Sequence, residues 1–301
     1  MDRVLAQQIV NGLTLGCLYA LMALGYSMVY GMLQLLNFAH GDVMMIGAFA
    51  GWTAIAALPA GLPAWTRLLS ALVAASAASV AVGLAVERYA YRPLRGSGRL
   101  APLISVLGAS IVIRSGMALI TGGRSKAVPT PALLGSGQLA VAGIRVDAVR
   151  MLVVGVTVAL LLALDFMSRR TSLGRRIRAV AEDQEAAAAT GVPVDRVITV
   201  TFALGSCLAG VAGILAGLYF TQIDFYMGFG MGLKAFVAAV LGGIGHMRGA
   251  ALGGLALGLA ECLGVALVGP VYKDLIAFVV LIVVLLLRPR GLVAGPSGRS
   301  A

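Results

Sequence analysis

Residues 4–30 read VLAQQIVNGLTLGCLYALMALGYSMVY, an apolar run that contains no charged side chain. A helix needs about 20 such residues to cross the hydrocarbon core of a bilayer. Small residues recur at every fourth position of this run, at Gly12, Gly16 and Ala20, and this spacing lets two helix backbones approach each other closely in lipid. The stretch therefore predicts a membrane-spanning helix that packs tightly against another helix.

The composition of the whole chain extends this prediction. Of 301 residues, 60% are hydrophobic and 12% are charged, and the mean hydropathy is +0.97. Soluble domains contain roughly 45–50% apolar and about 25% charged residues, so the composition excludes a soluble globular protein. The 40 glycines, together with the lack of strand-like alternation of apolar and polar residues, favour a helical bundle over a barrel. We expect an all-α polytopic membrane protein with a single transmembrane domain over residues 1–301.

Further apolar runs predict about eight or nine spans. Eight fit nearly as well as nine, because residues 231–269 form one tract broken by glycines. Basic residues cluster between the runs, and placing these clusters on the cytoplasmic side puts the N-terminus outside and the C-terminus in the cytoplasm. This placement also accounts for the net charge of +11 without a nucleic-acid partner. The nine predicted spans are residues 4–30, 42–58, 66–87, 101–121, 150–167, 197–220, 231–247, 250–269 and 274–288.

Two connections between the runs are long. Residues 122–149, rich in Gly and Pro, form the main outer loop, and residues 168–196 form the main cytoplasmic loop. The cytoplasmic loop is expected to be folded, because residues 173–189 predict a short helix that Gly191 and Pro193 would terminate. A folded helix on the cytoplasmic side suggests a docking surface for another protein.

A few polar residues interrupt the apolar runs. Residues 37–41, Asn-Phe-Ala-His-Gly, separate the first two runs, and Asp42 follows them. Asp42 suits the start of a helix, and a helix N-terminus at membrane depth could hold a carboxylate; an ordinary cytoplasmic loop is the alternative. Glu261 lies within the eighth run and Arg114 within the fourth. Charged groups in hydrocarbon are functional candidates, with ion pairing or hydrogen bonding between helices as the structural alternative.

Motifs of soluble enzymes are missing from the sequence. No Lys is preceded by Gly and followed by Ser or Thr, so the phosphate-binding P-loop is absent, as are the HExxH and GxSxG motifs. The three cysteines are odd in number and lack CxxC spacing, which fits buried apolar side chains better than a disulfide or a zinc site. We therefore predict no catalytic, cofactor-binding or metal-binding residues and no enzyme activity in this chain.

Several segments resemble a known family. GYSMVYG at 25–31 and LNFAHGD at 36–42 resemble the N-terminal signature of branched-chain amino-acid ABC transporter permeases of the LivH type. LGRRIRAVAED at 173–183 resembles the cytoplasmic coupling segment of that family. YKDLIAF at 272–278 and RPRGL at 288–292 look like its closing signature. The resemblance covers nearly the whole chain and implies the fold of the branched-chain amino acid and sugar permease superfamily, with an inverted repeat.

The resemblance also implies a function and a set of partners. It implies a permease subunit of the bacterial inner membrane that imports Leu, Ile and Val by alternating access. The partners would be a second related permease, two ATP-binding cassette subunits that bind and hydrolyse ATP, and a periplasmic substrate-binding protein. The residues assigned to coupling with the ATPase are Arg178, Glu182, Asp183, Glu185, Ala186, Ala187 and Gly191, and those assigned to the translocation path are Asn37, His40, Asp42 and Glu261.

Other functions stay open at this point. Amides, urea or simple sugars are alternative substrates for a permease of this superfamily. An ion-coupled secondary transporter would use Asp42 and Glu261 as a proton relay, and an intramembrane protease would need Ser27 as its nucleophile.

Overall fold

The computed structural model describes residues 2–59, 61–98, 100–135, 137–141, 144–288 and 291–293. The two chain ends, whose sides of the membrane are predicted above, are Met1 and residues 294–301, and both lie outside the described residues. A π-helical turn and a 3₁₀ turn extend the third helix, and a 3₁₀ turn precedes the last one. The α-helices are α1 (Asp2–Leu33), α2 (His40–Ala57), α3 (Ala64–Val86), α4 (Leu100–Thr121), α5 (Thr130–Leu134), α6 (Ala148–Arg170), α7 (Ser172–Glu182), α8 (Gln184–Ala189), α9 (Val194–Phe220), α10 (Met227–Gly242), α11 (Met247–Val268) and α12 (Lys273–Leu287).

Four short strands accompany the helices. Strand β1 (Lys126–Ala127) pairs antiparallel with β4 (Gln222–Ile223), and β2 (Gln138–Val141) pairs antiparallel with β3 (Ile144–Asp147). The connection predicted as an outer loop over residues 122–149 therefore contains three strands and the short helix α5. The pairing of β1 with β4 fixes this connection to the segment that follows α9.

The nine predicted apolar runs each fall on a helix. Within the described residues, seven helices are long and apolar enough to cross a membrane, and the prediction of eight or nine spans is thus roughly confirmed. They are α1, α3, α4, α6, α9, α11, and α12 together with the 3₁₀ turn before it. Of the other two helices, α2 has 18 residues but starts with the polar His40, and α10 is shorter, with 16. Helix α10 ends before the predicted boundary at residue 247, because Gly243 and Gly245 turn the chain with φ of 103° and 91°, values that favour glycine.

The helices differ sharply in how deeply they are buried. In the most apolar stretch of 18 residues, 94% are buried in α1 and 72% in α9. The share is 11% in α4 and 6% in α12 together with the 3₁₀ turn before it. Helices α1 and α9 therefore form the core of the bundle. Helices α4 and α12 present large apolar side chains outward, including Leu119 and Leu286, as expected for surfaces that face lipid or another membrane subunit.

Helix α1 packs against α11 through its predicted face of small residues. A Cβ atom on Gly12 would lie 2.9 Å from Leu259 Cα, and one on Gly16 would lie 2.8 Å from Leu255 Cα. Nothing larger than glycine fits these two positions while the backbones stay at this separation. The two contacts also show that α1 and α11 are antiparallel, and they confirm the close packing predicted from the spacing.

The direction of the helices reveals an internal symmetry. Helix α2 runs parallel to α9, since Gly47 faces Gly210 and Gly51 faces Ile214. Combined with the antiparallel pairing of α1 and α11, this places the triplets α1–α2–α3 and α9–α10–α11 in opposite directions. This is the topology of an inverted repeat, in which the middle helices α2 and α10 correspond.

Candidate functional site

The segment between α1 and α2, residues 34–39, folds back into the bundle; we call it the inner break because it lies on the same side of the bundle as α7 and α8. His40, which follows it, lies against Gly25, where a Cβ atom would be 2.5 Å from His40 Nε2. The rings of His40 and Tyr26 are 4.7 Å apart between centroids. Because Gly25 precedes the end of α1 at Leu33 and a helix rises 1.5 Å per residue, the His40 side chain reaches a level about 12 Å short of that end. This geometry favours a segment inside the bundle over an ordinary cytoplasmic loop.

Three of the residues predicted for the translocation path lie together at the inner break. Asn37, His40 and Asp42 are 4%, 1% and 1% exposed, and the backbone N–H of His40 donates to the carbonyl of Asn37 at 3.0 Å. Asn37 Oδ1, His40 Nε2 and the nearby Ser27 Oγ have no hydrogen-bond partner among the described residues. Buried polar atoms without a partner cost about 1–3 kcal/mol each. Their role in transport stays a prediction.

Asp42 is bound by two side chains of α4. Arg114 Nε lies 3.2 Å from Asp42 Oδ1, and the hydroxyl of Ser110 donates to Asp42 Oδ2. Arg114 Nη2 also donates to Ser110 Oγ at 3.1 Å. A carboxylate buried away from water needs such partners, because the penalty for an unpaired buried charge is several kcal/mol. The sequence suggests an ion pair for Arg114 as the alternative to a functional role, but it does not predict Asp42 as the partner. The i, i+4 spacing of Ser110 and Arg114 does place both side chains on one face of a helix.

A second re-entrant segment, residues 221–226, connects α9 to α10; we call it the outer break. It starts at Thr221, which has a φ of 59° and whose carbonyl accepts from Val128 N–H at 2.9 Å. Ile223 then packs on Gly217, where a Cβ atom would lie 2.7 Å from Ile223 Cγ2. The chain therefore runs back along α9 before α10 begins.

The two breaks meet at the starts of α2 and α10. The backbones of Gly41 and Gly228 touch so closely that neither position has room for a Cβ atom. Arg114 forms a second link, because its guanidinium lies over the rings of Tyr226 and Phe229, at 5.3 Å and 4.7 Å from their centroids. Such cation–π contacts contribute about 0.5–2 kcal/mol. Arg114 thus joins the carboxylate of the inner break to the aromatic side chains of the outer break.

Glu261, the fourth residue predicted for the path, belongs to a separate cluster. It is fully buried, it accepts a hydrogen bond from Tyr19 Oη at 2.6 Å, and Lys234 forms an ion pair with it. Lys234 also pairs with Asp274 at 2.7 Å. The structure does not place Glu261 with the three residues of the inner break, because this neighbourhood of Tyr19, Lys234 and Asp274 holds its carboxylate. This cluster lies at the edge of a cavity.

The cavity opens beside the outer break and has a volume of about 420 Å³. It lies between the end of α9, the first two turns of α10 and the start of α12. Its walls combine aromatic, methionine and charged side chains of both signs. The lining residues are Tyr19, Phe220, Gln222, Asp224, Tyr226, Met227, Gly230, Met231, Lys234, Lys273 and Asp274.

The predicted coupling helix over residues 173–189 is two helices, α7 and α8. The chain bends at Asp183, which has extended backbone angles (φ −154°, ψ 115°) and whose carboxylate accepts from the N–H groups of Glu185 and Ala186 at 2.9 Å and 3.0 Å. Asp183 is therefore an N-cap that starts a new helix. Gly191, with a φ of 82°, follows the end of α8, and its predicted place as a terminator is confirmed.

We call residues 172–191, which contain α7 and α8, the coupling loop. Most of the residues predicted for coupling are exposed there, and one is buried. Glu182, Glu185, Ala186 and Gly191 are exposed, and Arg178 reaches the carbonyl of Ser168. Ala187 is buried and packs inward, and its part in coupling stays a prediction. Its neighbour Gln184 donates to the carbonyl of Met32 at 2.6 Å. Because Met32 lies in the last turn of α1, the coupling loop is bonded directly to the start of the inner break.

Comparisons with known proteins agree with this architecture. The family model for the permease component of branched-chain amino acid transport systems matches residues 8–285. The high-affinity branched-chain amino acid transport permease BraD of Pseudomonas aeruginosa is 44% identical over 294 residues, which cover 96% of each chain. The corresponding permease LivH of Escherichia coli K12 is 43% identical over 297 residues, also 96% of each chain.

A more distant relative marks the breadth of the superfamily. The autoinducer 2 import permease LsrC of Klebsiella pneumoniae is 31% identical over 207 residues, which cover 64% of this chain and 56% of LsrC. The BraD and LivH matches, by contrast, span both breaks, the coupling loop and the cavity. The chain therefore belongs to the family of permease components of branched-chain amino acid transport systems.

Proposed function

We propose that this chain is a membrane-spanning subunit of an ATP-driven importer of branched-chain amino acids in the bacterial inner membrane. The observation that carries the proposal is the identity of 43–44% over 96% of the chain with two permeases named for high-affinity transport of these amino acids. The partners would be a second related permease, two ATP-binding cassette subunits and a periplasmic binding protein. ATP would be bound and hydrolysed by the cassette subunits, with this chain serving transport and no reaction of its own.

The contacts of the coupling loop support a mechanical route for this function. Exposed Glu182 and Glu185 would dock on an ATPase subunit, while the buried side of the loop, at Val180 and Ala187, packs against the inner ends of α1 and α9. Through the Gln184 bond to Met32, movement of the loop pulls on the inner break. A conformational change that a partner drives needs differential contacts of this kind between two states.

The contacts between the two breaks support a second mechanical route, by which movement passes through the chain itself. Asp42, Arg114 and the rings of Tyr226 and Phe229 connect the inner break to the outer break without a gap. Displacement of the inner break therefore changes the packing at the outer break. We place the opening and closing of the path at this junction, with Asn37 and His40 on its inner side.

The test is reconstitution of the assembled transporter in proteoliposomes with the binding protein present. Tagged chain is purified from gently solubilised membranes, and co-purifying subunits are identified by mass spectrometry. We expect two ATPase subunits, a second permease and ATP-dependent uptake of radiolabelled leucine that ATP depletion abolishes. Uptake of urea or ribose without leucine would contradict the substrate. Recovery of the chain alone, with uptake driven by a proton or sodium gradient, would overturn the whole proposal.

A further inference from the structure

The cavity beside the outer break has the size and the walls of a small-molecule site. Its volume of about 420 Å³ lies within the roughly 300–1,000 Å³ of ligand pockets, which combine apolar walls with a few polar groups. Tyr19, which is 2% exposed, lines its inner part. A cavity with these properties can hold a small ligand of matching chemistry.

The charged side chains of the cavity fall into two sets. Lys234 pairs with both Glu261 and Asp274, so its charge is compensated within the protein. Asp224 forms no ion pair with any described residue, and its Oδ1 accepts only the N–H of Tyr226, at 2.7 Å. Lys273 is also weakly compensated, because Nζ is 3.8 Å from Glu261 Oε1 and lies over the ring of Phe220 at 5.8 Å. Lys234 and Lys273 together balance Glu261 and Asp274. Asp224 and Lys273 are nevertheless the two charged groups of the cavity with the most room for a further partner, one carboxylate and one ammonium group.

The remaining walls suit a flexible aliphatic group. Phe220, Met227 and Met231 contribute apolar surface, and methionine side chains adapt to aliphatic groups of different shape. Gly230 adds space, since a Cβ atom there would meet no other atom within 4 Å. One negative group, one positive group and an adaptable apolar wall together match a zwitterion with a branched aliphatic side chain.

We propose that this cavity binds a zwitterionic α-amino acid with an aliphatic side chain, the ammonium group on Asp224 and the carboxylate on Lys273. This inference rests on the proposed function and deepens it, because it gives this chain a substrate site of its own beside the outer break. Tyr226 lines the cavity and carries the guanidinium of Arg114. A bound amino acid therefore touches the side chain that leads to Asp42 and the inner break.

The experiment measures binding to the assembled transporter in nanodiscs, with the binding protein omitted. Saturation-transfer difference NMR of the leucine methyl groups follows a titration with L-leucine, and the probes 4-methylpentanoate and 3-methylbutylamine each lack one of the two charged groups. We expect saturable binding of leucine, with binding of each single-charge probe at least tenfold weaker. Asp224→Asn and Lys273→Gln should each weaken leucine binding at least tenfold, and Gly230→Leu should abolish it by filling the cavity.

Two control variants make the same chemical changes, Asp to Asn and Lys to Gln, at positions outside the cavity. Asp147→Asn keeps a side chain that can cap α6, and Lys126→Gln removes an ammonium that lies over the ring of Trp52; both should bind leucine as the unchanged protein does. Undiminished binding in Asp224→Asn and Lys273→Gln would overturn the inference, as would a lack of leucine binding by the unchanged transporter. If that transporter still takes up leucine when the binding protein is added, the proposed function stands and only the cavity site fails. If it takes up no leucine under those conditions, the proposed function fails.

Discussion

The inner break and the outer break are built alike, yet one is closed and the other is open. Both double back along a long helix and both lead into a shorter helix that starts at the contact between Gly41 and Gly228. At the inner break, Asn37 and His40 are buried, Tyr91 Oη donates to the carbonyl of Leu36 at 2.9 Å, and the coupling loop packs beneath. The outer break borders a cavity.

This difference goes with the segments that hold the two breaks. The closed break is the one that the coupling loop contacts, so in the proposed mechanism its opening would depend on the loop. The open break is held instead by the connection over residues 122–149, because β4 pairs with β1 and the Thr221 carbonyl accepts from Val128 N–H. Arg114 and the glycine contact link it to the inner break. The inverted repeat supplies two similar breaks, and the coupling loop on one side and the β1–β4 pairing on the other make them unequal.

The largest expected effect comes from a substitution that forces the starts of α2 and α10 apart. In Gly41→Leu the new side chain has no space against the backbone of Gly228, so we expect loss of the folded, assembled transporter. Overpacking of this kind typically costs about 1–3 kcal/mol and costs more where only backbone can yield. The yield of monodisperse complex after size-exclusion chromatography measures the effect.

The control for that variant is Gly116→Leu in α4, where a Cβ atom would meet nothing within 4 Å. It should assemble as the unchanged protein does. Normal assembly of both variants would show that the contact between the two helix starts is not required.

Removal of the link through Arg114 should have the next largest effect. Arg114→Met leaves the carboxylate of Asp42 buried without its partner, which costs about 3–5 kcal/mol. The double variant with Asp42→Asn should recover most of this loss, because no unpaired charge remains. Thermal unfolding of the purified complex measures both.

A substitution at an exposed ion pair is the control for Arg114→Met. Asp195→Asn breaks contacts with Arg92 and Arg95, where the Asp195 side chain is 65% exposed, and such pairs contribute about 1 kcal/mol or less. If Arg114→Met were no more harmful than Asp195→Asn, the ion pair of Asp42 would not hold the inner break.

The coupling loop is tested at the residue that ends α8. Gly191 has a φ of 82°, where a side chain costs roughly 1–2 kcal/mol, so Gly191→Leu should shift the end of the loop while leaving the membrane helices intact. We expect ATP hydrolysis to continue and leucine uptake to fall several-fold. Uptake at the normal rate would count against the docking role of this loop.

The smallest expected effect concerns a single hydrogen bond. Gln184→Leu removes the bond to Met32, which contributes about 1 kcal/mol, so we expect a roughly twofold to fivefold loss of uptake per ATP hydrolysed. Ser172→Ala, which changes an exposed side chain of the same loop, serves as the control. Equal uptake-to-hydrolysis ratios in the two variants would show that the bond does not transmit motion.

Sequence reasoning predicted those features that depend on local pattern. The apolar runs locate nine helices, and the spacing of Gly12 and Gly16 predicts the face that packs on α11, because both depend on the 3.6-residue period of one helix. The bend at Asp183 was missed although a signal existed: Asp is a favoured N-cap, and Gln184, Glu185 and alanines follow it.

Features that join distant parts of the chain were beyond such reasoning. Asp42 and Arg114 are 72 residues apart, and no periodicity relates the two. Asp224 and Lys273 were visible as polar residues near the ends of spans, but their meeting in one cavity depends on how α9, α10 and α12 pack. The same reasoning grouped Glu261 with Asp42 on charge alone, and the tertiary structure separates them.

The ion pair of Asp42 and Arg114 has a consequence for how the transporter responds to membrane voltage. Each elementary charge moved across a potential of 100 mV costs or gains about 2.3 kcal/mol. The bound pair carries no net charge, so the inner break can move together with α4 without doing electrical work. An unpaired Asp42 at the same place would tie every cycle to the membrane potential.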